Sequence, residues 1–201
     1  MNNTLNLSAI PFDLNCDVSP QNQQATADTL AITAGPKTDL FTDPGGEVTL
    51  SNSPRLLFTP DTEFQFSARV TVEFASDFDA GVLLLYADPS HWAKLCFEFS
   101  PQRQPMVVSV VNHEVSDDCN SAIIEGNSVY LRVSRLQDRL FAFHYSTDEQ
   151  TWHLVRYFKL DGNSPIQAGF SVQSPTGQIC SATFSNIRYQ TKKLPDLRSG
   201  E

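Results

Sequence analysis

Apolar and polar residues alternate in short runs along most of the chain, from about residue 39 onward. The segment 62–73 shows this pattern over its whole length, because every second residue from Phe64 is apolar and the residues between are polar. A period of two is typical of a β-strand with one buried face. No segment keeps the 3.6-residue period of an amphipathic helix. The pattern therefore predicts an all-β protein.

Turn residues separate these alternating runs into a series of strands. Asp88-Pro89-Ser90 and Asp161-Gly162-Asn163 are two such turns. The expected longer strands are residues 62–73, 82–87, 91–100, 106–112, 129–135, 140–146, 151–160, 167–173 and 178–190. Many strands without helices predict two packed antiparallel sheets. The length of 201 residues predicts one domain over residues 1–201, with a polar, irregular segment to about residue 35 and a loose tail at 192–201.

Charge and composition exclude some classes of binding partner. The net charge is −9, which disfavours nucleic acid and anionic membranes because both attract basic surfaces. The longest apolar run has about six residues, far short of a membrane span, and the first residues lack a secretory signal pattern. The cysteines are widely spaced, with no metal-ligand pattern, at Cys16, Cys96, Cys119 and Cys180. We expect a cytoplasmic protein that needs no cofactor or metal.

The segment 91–99 carries the clearest chemical signal. Alternation puts four residues on the core side: Ala93, Leu95, Phe97 and Phe99. The other row is Trp92, Lys94, Cys96 and Glu98. A tryptophan can stack on a sugar ring while Lys94 and Glu98 hydrogen-bond its hydroxyls. The alternative is a surface ion pair of little energy. Cys96 is either a thiol activated by Lys94 or a small filler.

Two further segments offer weaker signals. Arg156 lies among aromatic residues and suits a carboxylate or phosphate, although it could equally pair with a nearby acidic side chain. Trp152 either shares that role or anchors a hairpin. The polar segment 116–120, which contains Asp117 and Asp118, is expected to be a loop. Its oxygens could hold calcium or sugar hydroxyls, although the spacing does not match an EF-hand loop, or could only satisfy the backbone of a turn.

Several segments in order resemble a known family between about residues 10 and 190. They are Phe12-Asp13-Leu14-Asn15, Thr38-Asp39-Leu40-Phe41, Ala80-Gly81-Val82-Leu83-Leu84, Trp92-Ala93-Lys94-Leu95-Cys96-Phe97-Glu98-Phe99, Ser109-Val110-Val111, Ser116-Asp117, His144-Tyr145-Ser146-Thr147-Asp148, Trp152-His153-Leu154-Val155-Arg156 and Ser174-Pro175. This series resembles the family of the yeast regulation-of-enolase protein and its small bacterial relatives. That family is placed in the concanavalin A-like lectin and glucanase superfamily.

The resemblance implies a fold and a site. It implies a concanavalin A-like jelly-roll sandwich of two antiparallel sheets, with a ligand groove on the concave sheet. Its motif positions correspond to Trp92, Lys94, Glu98, Ser116, Asp117, Tyr145, Ser146 and Arg156. The sequence departs from the family at four places. Cys96 and Glu149 replace glycines, Asp118 replaces an aromatic residue, and Asp79-Ala80-Gly81 lacks the glutamine of the family's D-Q-A-G stretch. These departures affect the expected ligand more than the expected fold.

Three functions follow as hypotheses. The first is a non-catalytic cytosolic binding or regulatory protein with a lectin-like groove for a carbohydrate, formed by Trp92, Lys94, Glu98, Asp117, Tyr145 and Arg156. The second is a regulator of a glycolytic enzyme, enolase, through protein contact, as the resemblance suggests. The third is a glycoside hydrolase that uses Glu98. Catalysis is the weaker expectation, because the strand lacks the second carboxylate that such an enzyme needs.

Overall fold

The structure is a computed structural model that describes residues 4–201, and it is composed of β-strands. The strands are β1 (Thr4–Leu5), β2 (Leu14–Val18), β3 (Asn22–Ala25), β4 (Leu30–Ala34), β5 (Leu40–Thr42), β6 (Thr49–Ser51), β7 (Arg55–Phe58), β8 (Phe64–Glu73), β9 (Ala80–Asp88), β10 (His91–Phe99), β11 (Pro105–His113), β12 (Val115–Ile123), β13 (Ser128–Gln137), β14 (Leu140–Ser146), β15 (His153–Lys159), β16 (Gln167–Gln173) and β17 (Cys180–Gln190). Across residues 4–201, no helix is long and apolar enough to cross a membrane.

Two large antiparallel sheets form the body of the molecule. The eight-stranded sheet has the order β1-β2-β7-β16-β9-β10-β11-β12, and the seven-stranded sheet has the order β15-β14-β13-β8-β17-β4-β3. The two-sheet all-β prediction is confirmed. Both orders combine sequence-adjacent hairpins with long crossovers, such as β7 beside β16 and β4 beside β17, as expected for a jelly roll.

The main core lies between the two sheets. Every second residue of β8 is buried, as alternation predicts, and Ala93, Leu95 and Phe97 of β10 face the same core. Aromatic pairs cross the interior, including Phe66 with Phe170 at 5.1 Å between ring centroids. Burial of each such side chain stabilises the fold by about 1.5–3 kcal/mol. This packing holds the two sheets together and so fixes the strands that carry the site.

Three expectations about local structure differ from what is observed. The polar segment 116–120, expected to be a loop, lies within the edge strand β12. An edge strand has a solvated side, so it accepts polar residues that a central strand would exclude. The first 35 residues contain four strands in their described part, β1 to β4. The segment 192–201, expected to be a loose tail, buries Leu194 and makes ordered hydrogen bonds.

A small hairpin covers part of the eight-stranded sheet on the side away from the main core. The hairpin is formed by β5 and β6, paired through Phe41 and Leu50. The backbone N–H of Thr42 donates to Ser116 Oγ at 3.0 Å, which ties the hairpin to β12. Leu40 of the hairpin packs in a second apolar cluster with Trp92 and Cys96 of β10. The hairpin therefore turns an outer sheet face into a largely covered one.

Candidate functional site

A cavity of about 460 Å³ opens on the outer face of the eight-stranded sheet. We call it the hairpin cavity, because the β5–β6 hairpin forms one of its sides. Its polar lining residues are Asp39, Asp43, Glu47, Lys94, Glu98, Asp118, Asn120, Gln173 and Thr176. Its apolar lining residues are Phe41, Val48, Leu50, Phe78, Val108, Val110 and Pro175. The volume lies within the usual range for small-molecule sites.

Strand register explains which side chains face the cavity. Lys94 of β10 pairs with Val110 of β11, which pairs with Asp118 of β12, so these three residues form one row across the sheet. The neighbouring row ends in Asn120. Since side chains alternate between faces, the residues between them point to the opposite side. Asp118 and Asn120 therefore face the cavity, and Asp117 does not.

Lys94 forms the charged floor of the cavity. Its side chain is buried, and Nζ donates to Asp39 Oδ1 and to Gln173 Oε1, both at 2.9 Å. Burial alone would lower the pKa of Lys94, but the Asp39 carboxylate and other acidic neighbours raise it above its usual value. Lys94 therefore stays charged and fixed in place. The face of this row on β10 was predicted correctly, but Trp92, Lys94 and Cys96 are buried rather than solvated.

Asp39 and Gln173 are held by the chain segments next to them. Thr38 and Ser174 exchange backbone hydrogen bonds of 3.3 and 3.1 Å, which places the residues beside them together under Lys94. Gln173 Nε2 donates to the carbonyl oxygen of Phe78 at 3.1 Å. One amide side chain thus connects the charged floor with the rim of the cavity.

Glu98 is a partly exposed carboxyl group in an acidic environment. Burial raises its pKa to about 8, Lys94 opposes the rise, and the negative charges of Asp39 and Asp118 add to it. Burial also raises the pKa of Asp118. Glu98 is therefore mostly protonated at neutral pH, and its carboxyl group can both donate and accept a hydrogen bond.

Trp92 is not a ligand platform, which corrects the prediction from the sequence. Its side chain is 1% exposed and packs in the second apolar cluster. The hairpin covers the face on which alternation correctly placed it. The aromatic residues that line the cavity are instead Phe41 and Phe78. Phe78 is 39% exposed and has a φ of 68°, a conformation that is strained for a bulky residue.

Cys96 is a buried filler. Its side chain is 0% exposed, and burial raises the pKa of its thiol well above the usual value despite the nearby Lys94. A protonated, inaccessible thiol is a poor nucleophile. This outcome excludes the alternative of an activated cysteine on β10.

The other three predicted site residues lie away from the hairpin cavity. Asp117 and Arg156 form an ion pair of 3.0 Å, and Arg156 Nη1 also donates to the carbonyl oxygen of Asp117 at 3.0 Å. This pair connects β12 with β15, the edge strands of the two sheets. Tyr145 packs against the main core and stacks on His153 at 5.0 Å. Only Lys94 and Glu98 of the six predicted residues line the cavity.

The sequence reasoning missed most of the cavity's lining. Asp39 and Phe41 stand in a segment that carried the family resemblance, but no role was assigned to them. Asp118 stood out only as part of a polar segment and as a departure from the family pattern, and neither property predicts that it lines a cavity. Gln173 and Phe78 have no sequence signal, because their positions depend on contacts between distant segments.

Residues 4–201 contain no group of three or more His, Cys, Asp or Glu side chains arranged to hold a metal ion.

The fold and the outer-face cavity define a β-sandwich protein of the jelly-roll type. A family described as "Protein of unknown function (DUF1349)" matches residues 17–192, and the chain belongs to that family. No curated protein matches the sequence.

Solved structures share the fold. A functionally unknown protein from Saccharomyces cerevisiae is 23% identical, with a TM-score of 0.81 over 89% of this chain and 96% of that one. A mutant of the GH43 protein BlXynB from Bacillus licheniformis is 13% identical, with a TM-score of 0.71 over 89% of this chain and 37% of that one. Bacteroides ovatus GH43B is 13% identical, with a TM-score of 0.70 over 94% and 37%. The chain thus spans little more than a third of the two GH43 proteins.

Proposed function

We propose that the protein is a non-catalytic binding protein that holds a small neutral carbohydrate in the hairpin cavity. The observation that carries the proposal is the division of the cavity into an apolar side, with Phe41 and Phe78, and a polar side, with Glu98, Asp118 and Asn120. Sugars have apolar C–H faces and polar hydroxyl edges. Aromatic and carboxyl or amide side chains match these two surfaces.

The charge of the cavity narrows the ligand class. Among residues 4–201, five carboxyl groups line it, on Asp39, Asp43, Glu47, Glu98 and Asp118, and Lys94 is the single basic lining residue. Lys94 is already bound to Asp39. An anionic sugar such as a uronic acid or a sugar phosphate would meet net negative charge, so neutral sugars and polyols fit better. The GH43 proteins that share the fold include one described as a glycoside hydrolase with endo-xylanase and exo-arabinofuranosidase activity, which is why pentose oligosaccharides are a sensible first set.

Strand β12 offers variants that test the proposal with a matched control. Asp118→Ala and Asn120→Ala remove two polar groups from the cavity, whereas Cys119→Ala changes the exposed residue between them, which does not line it. Titration calorimetry against neutral mono- and oligosaccharides should show saturable binding by the native protein. The two cavity variants should bind at least about tenfold more weakly, and the control should bind normally. Absence of binding to every neutral sugar would refute the proposal.

Hydrolysis of a glycoside is the second candidate, and the protonated state of Glu98 favours it. A glycosidase needs one protonated and one ionised carboxyl group, and Asp39 and Asp118 line the same cavity. Release of reducing sugar by the native protein, lost in Glu98→Gln, would support catalysis. Binding without release would support the non-catalytic proposal.

Two finer expectations remain predictions. The first is regulation of enolase, which no described feature of the surface suggests. Reproducible recovery of enolase with the full-length protein would be needed to support it. A cytoplasmic location agrees with the four cysteines, which form no disulfide, since reducing compartments keep thiols free. Fractionation of native cells checks it.

A further inference from the structure

A second cavity lies on the outer face of the seven-stranded sheet, on the other side of the molecule. Its volume is about 130 Å³, room for roughly four water molecules. The lining residues are Gln65, Ser67, Arg132, Glu149, Trp152, Arg188 and Gln190. We call it the Arg132 cavity. Its lining is mainly polar and contains two guanidinium groups.

Within the described part of the chain, Arg132 is a buried cation without a carboxylate partner. Its side chain is 7% exposed and lies over the ring of Trp152, 4.1 Å from the centroid. Glu149 is the only carboxylate that lines the cavity within residues 4–201, and it pairs with Arg188 at 2.8 Å. Burial lowers the pKa of Arg132 to about 10, with no opposing contribution from an acidic group. A buried charge without a partner costs free energy. An anion that binds beside Arg132 would therefore be stabilised by it.

The hydrogen bonds of Arg132 show where such a partner would bind. Nη2 donates to the carbonyl oxygen of Gly200, and Nε is buried without a partner. Nε and Nη2 form one edge of the guanidinium, and that edge binds carboxylates and phosphates through two parallel hydrogen bonds. The carbonyl oxygen of Gly200 accepts a hydrogen bond from Nη2 alone, so the second donor of this edge, Nε, has no acceptor.

The carbonyl oxygen belongs to a segment that covers the site. We call residues 194–201 the strap. Leu194 is buried, His144 Nε2 lies 2.9 Å from the carbonyl oxygen of Leu197, and Gly200 N–H donates to the carbonyl oxygen of Asp196 at 3.0 Å. Gly200 has a φ of +77°, and a Cβ there would lie 2.6 Å from Trp152 Cβ and 2.8 Å from Arg132 Nη2. The strap therefore docks only because residue 200 has no side chain.

We propose that the outer face of the seven-stranded sheet holds a second ligand site, for a small carboxylate- or phosphate-bearing anion. Arg132 is the anion-binding group, and the strap occupies part of the site when no anion is bound. Trp152 holds the guanidinium plane, which leaves the Nε–Nη2 edge for the ligand. Because the anion replaces the carbonyl oxygen of Gly200, binding of the anion and docking of the strap compete.

The two tryptophans provide the readout. Trp152 contacts Arg132, whereas Trp92 lies in the apolar cluster of the other sheet. In ¹⁵N-labelled full-length protein, the Trp152 indole signal should shift saturably on addition of sodium acetate or inorganic phosphate, and the Trp92 signal should not. Sodium chloride at equal ionic strength should move neither. Response to only one of the two anions would assign the site to carboxylates or to phosphates.

Variants separate the anion site from the strap. Gly200→Ala should release the strap and raise anion affinity by roughly tenfold, since the binding-competent state is then fully populated. Gly126→Ala is the matched control, because Gly126 also has a positive φ of +86° but a Cβ there meets nothing within 4 Å. Arg132→Gln should abolish the shift, and Arg132→Lys should weaken it. An unchanged Trp92 signal confirms that each variant is folded.

Some results would overturn the proposal. No saturable shift in either the native protein or Gly200→Ala would exclude the anion site, and so would an equal shift with chloride or in Arg132→Gln. Unchanged affinity in Gly200→Ala would exclude competition by the strap.

Discussion

Replacing Glu98 by glutamine tests the electrostatics of the hairpin cavity. The pKa of Glu98 is about 8 in the folded protein, against 4.5 as its ordinary value. A raised folded pKa means that the folded state binds the proton more tightly than the unfolded state. The resulting stabilisation is complete below about pH 4.5 and is lost as the pH rises through 8. Glutamine carries no titrating proton, so its contribution does not change with pH.

The magnitude follows from the gap between the two pKa values. At about 1.4 kcal/mol for each pH unit, the upper limit is about 5 kcal/mol. Glu98 is partly exposed, and solvent screening reduces the effect. We expect that Glu98→Gln gains about 2 kcal/mol over the native protein on going from pH 5 to pH 9.

Urea unfolding at pH 5, 7 and 9 measures this difference. Glu63→Gln is the control, since Glu63 is exposed and does not line the hairpin cavity, so its replacement removes a carboxyl group without changing the cavity. If the difference between Glu98→Gln and the native protein were constant from pH 5 to pH 9, Glu98 would titrate normally. The hydrogen-bond donor assigned to it in the cavity would then be absent at neutral pH.

Three further predictions concern stability. Burial lowers the pKa of His144 to about 4 from 6.5, so the native protein should lose up to about 3 kcal/mol as the pH falls from 6.5 to 4; urea titrations should show a smaller loss in His144→Gln. Lys94→Met should cost about 3–5 kcal/mol in urea unfolding, because Asp39 is then buried without its cation, and adding Asp39→Asn should recover part of that loss. Gly169→Ala would place a Cβ against the backbone of β7 and should cost about 3 kcal/mol or more; Gly126→Ala, compared by thermal unfolding, should cost much less.

Alternation predicted which way each side chain of β10 points, because that property depends only on neighbouring residues. It did not predict solvent exposure. Trp92 and Lys94 lie on the predicted outer face, but the β5–β6 hairpin, about 50 residues earlier in the sequence, covers them. The hairpin strands have three residues each, too few for a periodic signal. The solvent exposure of Trp92 and Lys94 therefore depends on their contact with the β5–β6 hairpin, which no local sequence pattern predicts.

The error at Asp117 has a different cause, because it is a shift of one residue. The polar composition of 116–120 favoured a loop, and a loop has no alternating faces. As part of β12, the same segment directs Asp118 and Asn120 into the cavity and leaves Asp117 to pair with Arg156. A polar edge strand and a polar loop have similar sequences, since both are solvated. The family resemblance located the right segment, and only the strand register selects the residue.

The two cavities have the same structural origin, although their charges are opposite. In each, a separate chain segment covers an outer sheet face: the hairpin over β10 and the strap over Arg132. A polar group beneath such a cover must be satisfied by the covering segment, as Lys94 is by Asp39. At the edge of a cover this condition fails: Glu98 is only partly covered, and Arg132 Nε has no hydrogen-bond partner within residues 4–201. Ligands are therefore expected at these edges, a neutral sugar where the surrounding side chains are acidic and an anion where the uncompensated group is a guanidinium.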